Sequence, residues 1–271
     1  MLNARRVFVI VPALDEARLI ERTLNGVPAF VDAVIVVDDA STDGTAERAR
    51  LHSDPRVTVL EQAKNRGVGA AIARGYARAR ERGADVLCVM AGDNQMHPDD
   101  LGALAEPVAT GRFDYVKGNR FLHREAHRMP WPRRAAGRML AAATRVATGL
   151  AVDDTQCGYT ALAAEAAQEL PLAELWPRFG YPNDLLGMLA ARGLRVGEVP
   201  VRPVYADERS GVRPWHALVV LGVVFRRFWL ERGSDVLTFT RAERGRRSRR
   251  RTAAHARDRS TRRVRKPRAA S

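Results

Sequence analysis

The sequence predicts an α/β fold with a mixed, mainly parallel sheet flanked by helices. Three apolar runs of strand length indicate this fold, and each run ends in acidic or amide side chains that are followed by a turn; the runs and their ends cover residues 7–17, 34–45 and 86–95. Continuously apolar strands are typical of parallel sheets that are covered on both faces. Because ligands of such sheets bind at the carboxyl ends of the strands, the polar side chains are expected at one shared edge.

The first run reads VFVIVPALDEA. It predicts a strand that leads through Pro12 to Asp15 and Glu16, so that two acidic side chains lie at the end of the first strand. A second βα unit follows directly, and it repeats this arrangement.

The second run reads VIVVDDASTDGT and brings two adjacent carboxylates, Asp38 and Asp39, to the end of the next strand. The Ser, Thr and Asp residues that follow can cap a helix that begins near Thr45. A solvated turn at a strand end is the alternative interpretation of this segment taken alone.

Between the second and third strands lies the segment NRGVGAAIARG. Its glycines, Gly69 among them, allow close backbone approach, and Arg66 adds positive charge, so the segment is a candidate cradle for a diphosphate at a helix N-terminus. Tight helix packing explains the small residues equally well. The spacing matches neither G-x-G-x-x-G nor a Walker A loop, which disfavours NAD binding and ATP hydrolysis.

The third run, VLCVM, leads into AGDNQMHPDD. Asp93 and Gln95 are two positions apart in an extended segment, so their oxygens can face one cation. Pro98 is expected to begin a helix.

The order of these motifs resembles the family 2 glycosyltransferases of GT-A fold, and within them the polyprenyl-phosphate branch, similar to dolichol-phosphate mannose synthase. The resemblance covers roughly residues 5–215 and rests on seven segments: VPALDEA at 11–17, VDDASTDGT at 37–45, NRGVGAAI at 65–72, AGDNQMHP at 91–98, KGNRF at 117–121, DTQCGYTAL at 154–162 and GEVPV at 197–201.

This resemblance implies a nucleotide site at the ends of the first two strands. Asp39 is expected at the nucleobase with Asp38 as its neighbour, while the other residues that line the nucleotide are Pro12, Asp15 and Glu16.

The same resemblance implies a divalent metal, Mg²⁺ or Mn²⁺, on Asp93 and Gln95. The family's Asp-x-Asp pattern is altered here, because Ala91 replaces the first acid. One carboxylate and one amide oxygen then leave most of an octahedral shell to substrate phosphates, so metal and nucleotide sugar are expected to bind together.

Arginines in three further segments match positions that contact donor or acceptor phosphates in the lipid-phosphate branch: Arg120, Arg134 and Arg209. Planar guanidinium groups suit that task. Asp184, in GYPNDLLG, is a candidate general base for an alcohol acceptor, and a helix N-terminal cap is its alternative role. A phosphomonoester acceptor is largely dianionic at neutral pH and needs no such base.

The predicted activity is therefore metal-dependent, inverting transfer of a sugar from a nucleoside-diphosphate sugar to a polyprenyl phosphate. Two alternatives stay open: transfer to a hydroxyl of a glycan or small molecule, and a non-catalytic nucleotide-binding domain whose tail binds nucleic acid. The sequence leaves the sugar and the choice between UDP and GDP undecided.

The expected organisation is a catalytic domain over 1–212, an amphipathic helix over 213–232 and a basic tail over 241–271. The helix contains WHALVVLGVVF at 215–225, which is either interfacial or packed on the domain. The tail holds 14 Lys or Arg residues and two acids, a net charge of +12, and is expected to be disordered.

An anionic membrane surface is the preferred partner of the tail, and nucleic acid is the alternative. No secretory signal and no apolar stretch of spanning length is seen, and two cysteines in 271 residues suit a reducing compartment. A cytoplasmic protein, peripheral at the inner face of the plasma membrane, is expected.

Overall fold

The computed structural model describes residues 1–204, 219 and 222–227. These residues belong to one compact unit, Met1–Arg227. Arg209, the predicted boundary at 212, most of the predicted 213–232 helix and the whole 241–271 tail lie outside the described residues.

One sheet organises the described part of the chain. Its seven strands are β1 (Val7–Ala13), β2 (Ala33–Asp38), β3 (Val57–Glu61), β4 (Val86–Val89), β5 (Tyr115–Asn119), β6 (Thr160–Ala163) and β7 (Val196–Pro200). They are arranged in the order β3-β2-β1-β4-β6-β5-β7. Only β6, among these seven, runs antiparallel to its neighbours β4 and β5. The predicted mixed, mainly parallel sheet is confirmed.

Helices cover both faces of the sheet: α1 (Ile20–Asn25), α2 (Thr45–Arg50), α3 (Val68–Glu81), α4 (Leu101–Ala109), α5 (Trp131–Thr148), α6 (Ala164–Glu169) and α7 (Tyr181–Ala191). As predicted, α2 begins at Thr45. Pro98 begins a short 3₁₀ turn, Pro98–Asp100, which leads directly into α4.

The core is divided between the two faces of the sheet because successive side chains of each strand alternate. In β1, Phe8 and Ile10 belong to the core on the α3 and α7 face, whereas Val7 and Val9 belong to the core beneath α1 and α4. Gly75 lets α3 lie close to β1, since an added Cβ would stand 2.4 Å from Cγ2 of Ile10. Burial on both faces explains why the strands are apolar throughout.

The carboxyl ends of β1, β2, β4, β5 and β7 lie at one edge of the sheet, because these strands are parallel. The antiparallel strand β6 begins at this same edge, so the segment that precedes it, residues 154–159, also arrives there. The predicted site segments therefore share one edge, as ligand sites of open α/β sheets do.

Candidate active site

The loops that follow β1 and β2 are joined by hydrogen bonds. The N–H of Asp15 donates to Oγ of Ser41 at 2.9 Å, and Oδ1 of Asp15 accepts from the N–H of Thr42 at 2.8 Å. The N–H of Glu16 donates to Oγ1 of Thr45 at 2.8 Å. Asp15 has a left-handed backbone with φ of 55°, which short polar side chains tolerate best after glycine. These contacts fix the two predicted nucleotide loops relative to each other.

Asp39, the predicted nucleobase contact, is buried and organises the loop before α3. Its Oδ1 accepts from Nε2 of Gln62 at 2.8 Å and from the N–H of Arg66 at 2.7 Å, and its Oδ2 accepts from the N–H of Gly67 at 2.7 Å. Arg66 thus approaches Asp39 through its backbone, and its side chain is exposed. Sequence reasoning placed both residues at the site but did not anticipate this contact between them.

Asp38 is buried at the last position of β2. Its Oδ2 accepts from the N–H of Ser41 at 3.0 Å, whereas its buried Oδ1 has no hydrogen-bond partner within the described chain. Buried carboxylate oxygens are normally bonded. The acceptor capacity of Oδ1 fits the predicted place of Asp38 beside the nucleotide.

The start of α3 contacts another part of the chain instead of standing open. The N–H groups of Gly69 and Ala70 both donate to the carbonyl oxygen of Pro177, at 2.9 and 3.3 Å. An added Cβ at Gly69 would lie 2.1 Å from the carbonyl oxygen of Trp176. This geometry supports tight packing, the alternative explanation of the small residues, and a diphosphate contact at Gly69 stays a prediction.

The end of β4 brings the predicted metal ligands to the same edge. The N–H of Gly92 donates to the carbonyl oxygen of Pro12 at 3.1 Å, which sets the β4 end beside β1, where Pro12 is buried. Asn94 has φ of 56°, and the N–H of Gln95 donates to Oδ1 of Asp93 at 3.0 Å in the resulting turn. Asp93 and Gln95 are therefore close together and half-buried.

These two side chains are the predicted donors for a divalent metal. Within the described residues, no group of three or more His, Cys, Asp or Glu side chains could hold a metal ion. One carboxylate and one amide oxygen suit a hard cation such as Mg²⁺ or Mn²⁺, provided that other oxygens complete the shell. The residues present thus fit a metal that binds together with a diphosphate.

Arg120 follows β5 and forms an ion pair with the buried Asp154. Its Nε and Nη2 donate to Oδ2 and Oδ1 of Asp154 at 2.7 and 2.9 Å, and its own N–H donates to Oδ2 at 3.0 Å. Burial would raise the pKa of Asp154, but the charge and hydrogen bonds of Arg120 hold it below its usual value. The arginine predicted at a phosphate is thereby fixed in orientation at the edge of the sheet.

Sequence reasoning missed the polar network behind this pair. Lys117 is fully buried in β5 and donates from Nζ to the carbonyl oxygen of Cys157 at 2.8 Å. Burial lowers the pKa of Lys117, with the nearby negative charges of Asp154 and Glu198 opposing that shift. Glu198 of β7 accepts from Nδ2 of Asn119 at 2.8 Å and from the N–H of Asp154 at 3.0 Å. A lysine inside the apolar strand YVKGN was the available signal.

A cavity of about 360 Å³ lies beside the β5 end, lined by Asn119, Phe121, Leu122, Arg138, Arg145 and Asp153. The guanidinium of Arg138 stacks on the ring of Phe121 with its carbon 5.9 Å from the centroid. Arg145 pairs with Asp153 at the other wall. Arg134, the predicted phosphate contact, is half-buried in the first turns of α5 and is not among these lining residues.

Asp184, the candidate general base, is fully buried in the first turn of α7. Its two carboxylate oxygens accept from Nε and Nη2 of Arg227 at 2.7 and 2.9 Å, and Oδ2 also accepts from the N–H of Trp176 at 2.9 Å. The carboxylate therefore bonds outside its helix instead of capping it. The general-base role stays a prediction, and this geometry does not favour it.

Comparison with known proteins identifies the type of domain. A family model described as glycosyl transferase family 2 matches residues 8–169. The chain is 33% identical over 205 residues to an undecaprenyl-phosphate mannosyltransferase of Micrococcus luteus, covering 72% of this chain and 82% of that protein. It is 26% identical over 243 residues to a UDP-N-acetylglucosamine–dolichyl-phosphate N-acetylglucosaminyltransferase of Methanococcus voltae, covering 84% and 96%.

The fold also matches solved structures. Glucosyl-3-phosphoglycerate synthase from Mycobacterium tuberculosis, crystallised with Mn²⁺, uridine diphosphate and glucosyl-3-phosphoglycerate, superposes with a TM-score of 0.66 at 24% identity. The match covers 83% of this chain and 80% of that one.

Proposed function

The chain belongs to glycosyltransferase family 2 and has the GT-A fold, and from that premise we propose that it transfers a sugar from a nucleoside-diphosphate sugar to a polyprenyl phosphate at a membrane surface. The observation that carries this proposal is the division of one edge of the sheet: carboxylates follow β1, β2 and β4, whereas Arg120 and the arginines of α5 lie beside β5. A nucleotide with its metal suits the first side, and an acceptor phosphate suits the second.

The donor is expected to bind at the ends of β1, β2 and β4. Asp38 and Asp39 are buried carboxylates at the end of β2 and are proposed to accept from a nucleobase N–H. Asp15 and Glu16 lie on the neighbouring loop after β1, which is hydrogen-bonded to the loop after β2. Several relatives are named for nucleotide sugars or for polyprenyl and dolichyl phosphates, which supports both substrate classes for this chain.

A bound Mg²⁺ or Mn²⁺ on Asp93 and Gln95 would neutralise the charge that grows on the departing diphosphate. The crystallised neighbour with Mn²⁺ supports a divalent metal, and the half-buried β4 turn provides two oxygen donors for it.

In the proposed reaction, an oxygen of the acceptor phosphate attacks the anomeric carbon of the sugar. The bond from that carbon to the diphosphate oxygen breaks, the nucleoside diphosphate leaves with the bonding electrons, and the configuration at the carbon inverts. Because a phosphomonoester is largely dianionic at neutral pH, no proton has to be removed by a base. Arg120, fixed by Asp154, and Arg134 are the described arginines proposed to orient the acceptor; Arg209 is proposed as well and lies outside the described residues.

The proposed membrane face includes one side of α5. Trp131, Met139 and Val146 are 76%, 55% and 87% exposed, and their positions fall within about 80° of each other around the helix axis. The same helix carries four arginines and no acid. An exposed apolar stripe with a cationic border is complementary to an anionic bilayer surface, where its side chains would enter the headgroup region.

The chain thus has more than one candidate contact with lipid. Within residues 1–204, 219 and 222–227, no helix is both long enough and apolar enough to cross a bilayer. We propose a peripheral enzyme at the cytoplasmic face of the plasma membrane, where the 241–271 tail with its net charge of +12 would add electrostatic attraction.

The first experiment measures nucleoside diphosphate release from a panel of UDP- and GDP-sugars with Mg²⁺ or Mn²⁺, with and without a polyprenyl phosphate in detergent. Lipid-dependent release supports the proposal and identifies the donor. Metal-dependent release without any effect of lipid would overturn the acceptor class and favour a hydroxyl acceptor. Silence across the panel would favour a non-catalytic domain.

Membrane contact through α5 has its own test. Trp131→Glu and Met139→Glu are expected to reduce sedimentation with phosphatidylglycerol-containing vesicles, whereas Leu51→Glu, at a residue that is 78% exposed outside this stripe, leaves it unchanged. Equal binding by all three variants would exclude the α5 face.

A further inference from the structure

A buried ion pair joins the last described residues to α7. Both Arg227 and Asp184 are buried, with side chains 4% and 0% exposed, and their two hydrogen bonds are 2.7 and 2.9 Å long. The arginine lies in a notch at Gly187, where an added Cβ would stand 2.4 Å from Cγ of Arg227. Val224, one turn earlier, packs against Leu140 of α5. The 222–227 helical turn is therefore packed on the domain, one of the two alternatives for this segment.

From Asp184 the contacts continue to a segment outside the helix, residues 176–178. The N–H of Trp176 donates to Oδ2 of Asp184 at 2.9 Å. The carbonyl oxygen of the following residue, Pro177, accepts from the N–H groups of Gly69 and Ala70. Two unpaired donors at the start of α3 are thus satisfied by a segment that Asp184 holds in place.

The start of α3 is in turn part of the proposed donor site. Asp39 accepts from the N–H groups of Arg66 and Gly67, the two residues that precede α3. An added Cβ at Gly67 would stand 2.3 Å from the carbonyl oxygen of Pro177, so the 176–178 segment also abuts this loop. Contacts therefore run without a break from Arg227 through α7 to Asp39.

We propose that Arg227 and Asp184 are positioning residues, which hold the 176–178 segment against the start of α3 and thereby set the geometry of the donor site. The inference rests on the proposed function in placing the nucleotide beside Asp39. Asp184 then serves through its buried pair and not as a general base, because both its oxygens are engaged and it is 0% exposed. A buried carboxylate that loses Arg227 loses both hydrogen bonds of its ion pair and keeps only the half-exposed Arg226 at 4.0 Å, so the segment it holds should shift or loosen.

The test compares wild type with Arg227→Met, Asp184→Asn and the double variant Asp184→Asn/Arg227→Met. Arg195→Gln is the control, because it removes one arginine charge at a residue that is 56% exposed and pairs with Asp114 at the amino ends of β5 and β7. The measurements are calorimetric Kd values for UDP and GDP with Mn²⁺, kcat and KM for the donor, and amide hydrogen exchange of the free protein.

Both single variants are expected to raise the nucleotide Kd and the donor KM roughly tenfold, as the loss of one well-placed charged hydrogen bond would, with kcat changed less than twofold. The double variant should be no worse than either single one, because the two residues act as one unit. Exchange at Gly69 and Ala70 should accelerate while α4 amides stay protected, and Arg195→Gln should match wild type within twofold.

Two results would overturn the inference. Asp184→Asn that lowers kcat and removes a limb of the pH–rate profile, with Arg227→Met unaffected, would overturn the inference in favour of a general base. If a single variant does not fold, Gly187→Ala displaces the Arg227 side chain while keeping both charges, and unchanged Kd and exchange in that variant would overturn the inference. A wild type that binds no nucleotide refutes the proposed function instead, and the exchange of Gly69 and Ala70 still decides whether the pair holds α3.

Discussion

The two sides of the candidate active site hold their carboxylates with different partners. At the ends of β1 and β2, Asp15, Asp38 and Asp39 accept from backbone N–H, hydroxyl and amide groups. Beside β5 and in α7, Asp154 and Asp184 each accept two hydrogen bonds from one guanidinium group. The carboxylates at the β1 and β2 ends thus keep their negative charge, whereas the charges of Asp154 and Asp184 are neutralised by arginines.

The two sets of carboxylates therefore differ in how far they depend on a bound ligand. Carboxylates that accept from neutral donors stay attractive to a cation, so the β1, β2 and β4 ends suit a metal with its nucleotide. In a buried ion pair the arginine already neutralises the carboxylate. Such a pair positions the chain without a ligand, although burying the two charges costs desolvation free energy. Removing an acid that faces the ligand should therefore cost mainly function, whereas removing the acid of an ion pair should cost stability and affect function through the segment that the pair holds.

The largest expected effect comes from breaking the pair beside β5. Asp154→Ala leaves Arg120 without its carboxylate partner and removes a negative charge near the buried Lys117, so we expect the free energy of unfolding in urea to fall by about 3–5 kcal/mol. Asp114→Ala is the control, because its partner Arg195 is 56% exposed and an exposed pair contributes at most about 1 kcal/mol. Equal losses in the two variants would contradict the distinction between the sides.

The next effect should appear in turnover without loss of stability. Asp93→Ala removes the carboxylate of the proposed metal pair, and we expect a roughly 100-fold lower rate at a fixed Mn²⁺ concentration with an unchanged unfolding curve. Asp99→Ala removes an acid six residues further on, at a side chain that is 75% exposed, and should leave the rate unchanged. A similar rate for Asp93→Ala and wild type would refute the metal assignment.

Asp39 should show an intermediate effect on both quantities. Asp39→Asn keeps the shape but weakens three hydrogen bonds to a buried carboxylate, so we expect about 2 kcal/mol less stability and weaker nucleotide binding by calorimetry. Asp15→Asn, on the exposed loop, should change stability by less. If Asp39→Asn lost stability alone, Asp39 would be a loop anchor and not a nucleotide contact.

The smallest effect concerns the pH dependence contributed by Lys117. Burial holds its pKa in the folded protein below the ordinary 10.5, so the unfolded chain binds more protons in that interval and wild-type stability should rise with pH there. Lys117→Met removes this contribution, so the stability of wild type minus that of the variant should increase as the pH approaches 10.5. Parallel stability curves for the two proteins would contradict the buried position of this lysine.

Sequence reasoning worked where strand, acid and turn are adjacent in the chain. The strand containing Val34–Val37, the start of α2 at Thr45 and the shared edge of three strand ends all follow from local patterns. These elements are encoded by apolar periodicity and capping residues, which a single sequence displays.

Contacts between distant residues were not predictable in the same way. Asp154 lies 34 positions after Arg120, Glu198 lies 44 positions after Asp154, and Arg227 lies 43 positions after Asp184. In a chain with 45 Lys and Arg residues, no local pattern selects which arginine meets which acid. Only the packing of β5, β6, β7 and α7 makes these pairs.

The position of β6 has a consequence for how the site assembles. This strand is made after β5, yet it lies between β4 and β5 and pairs with both. During synthesis, β5 therefore cannot join the growing sheet until Thr160–Ala163 has left the ribosome, and Asp154 arrives only just before it. The β4 end and the β5 end of the cleft stay separate until β6 pairs with both strands. A nascent chain therefore cannot have the complete active-site edge before β6 is inserted.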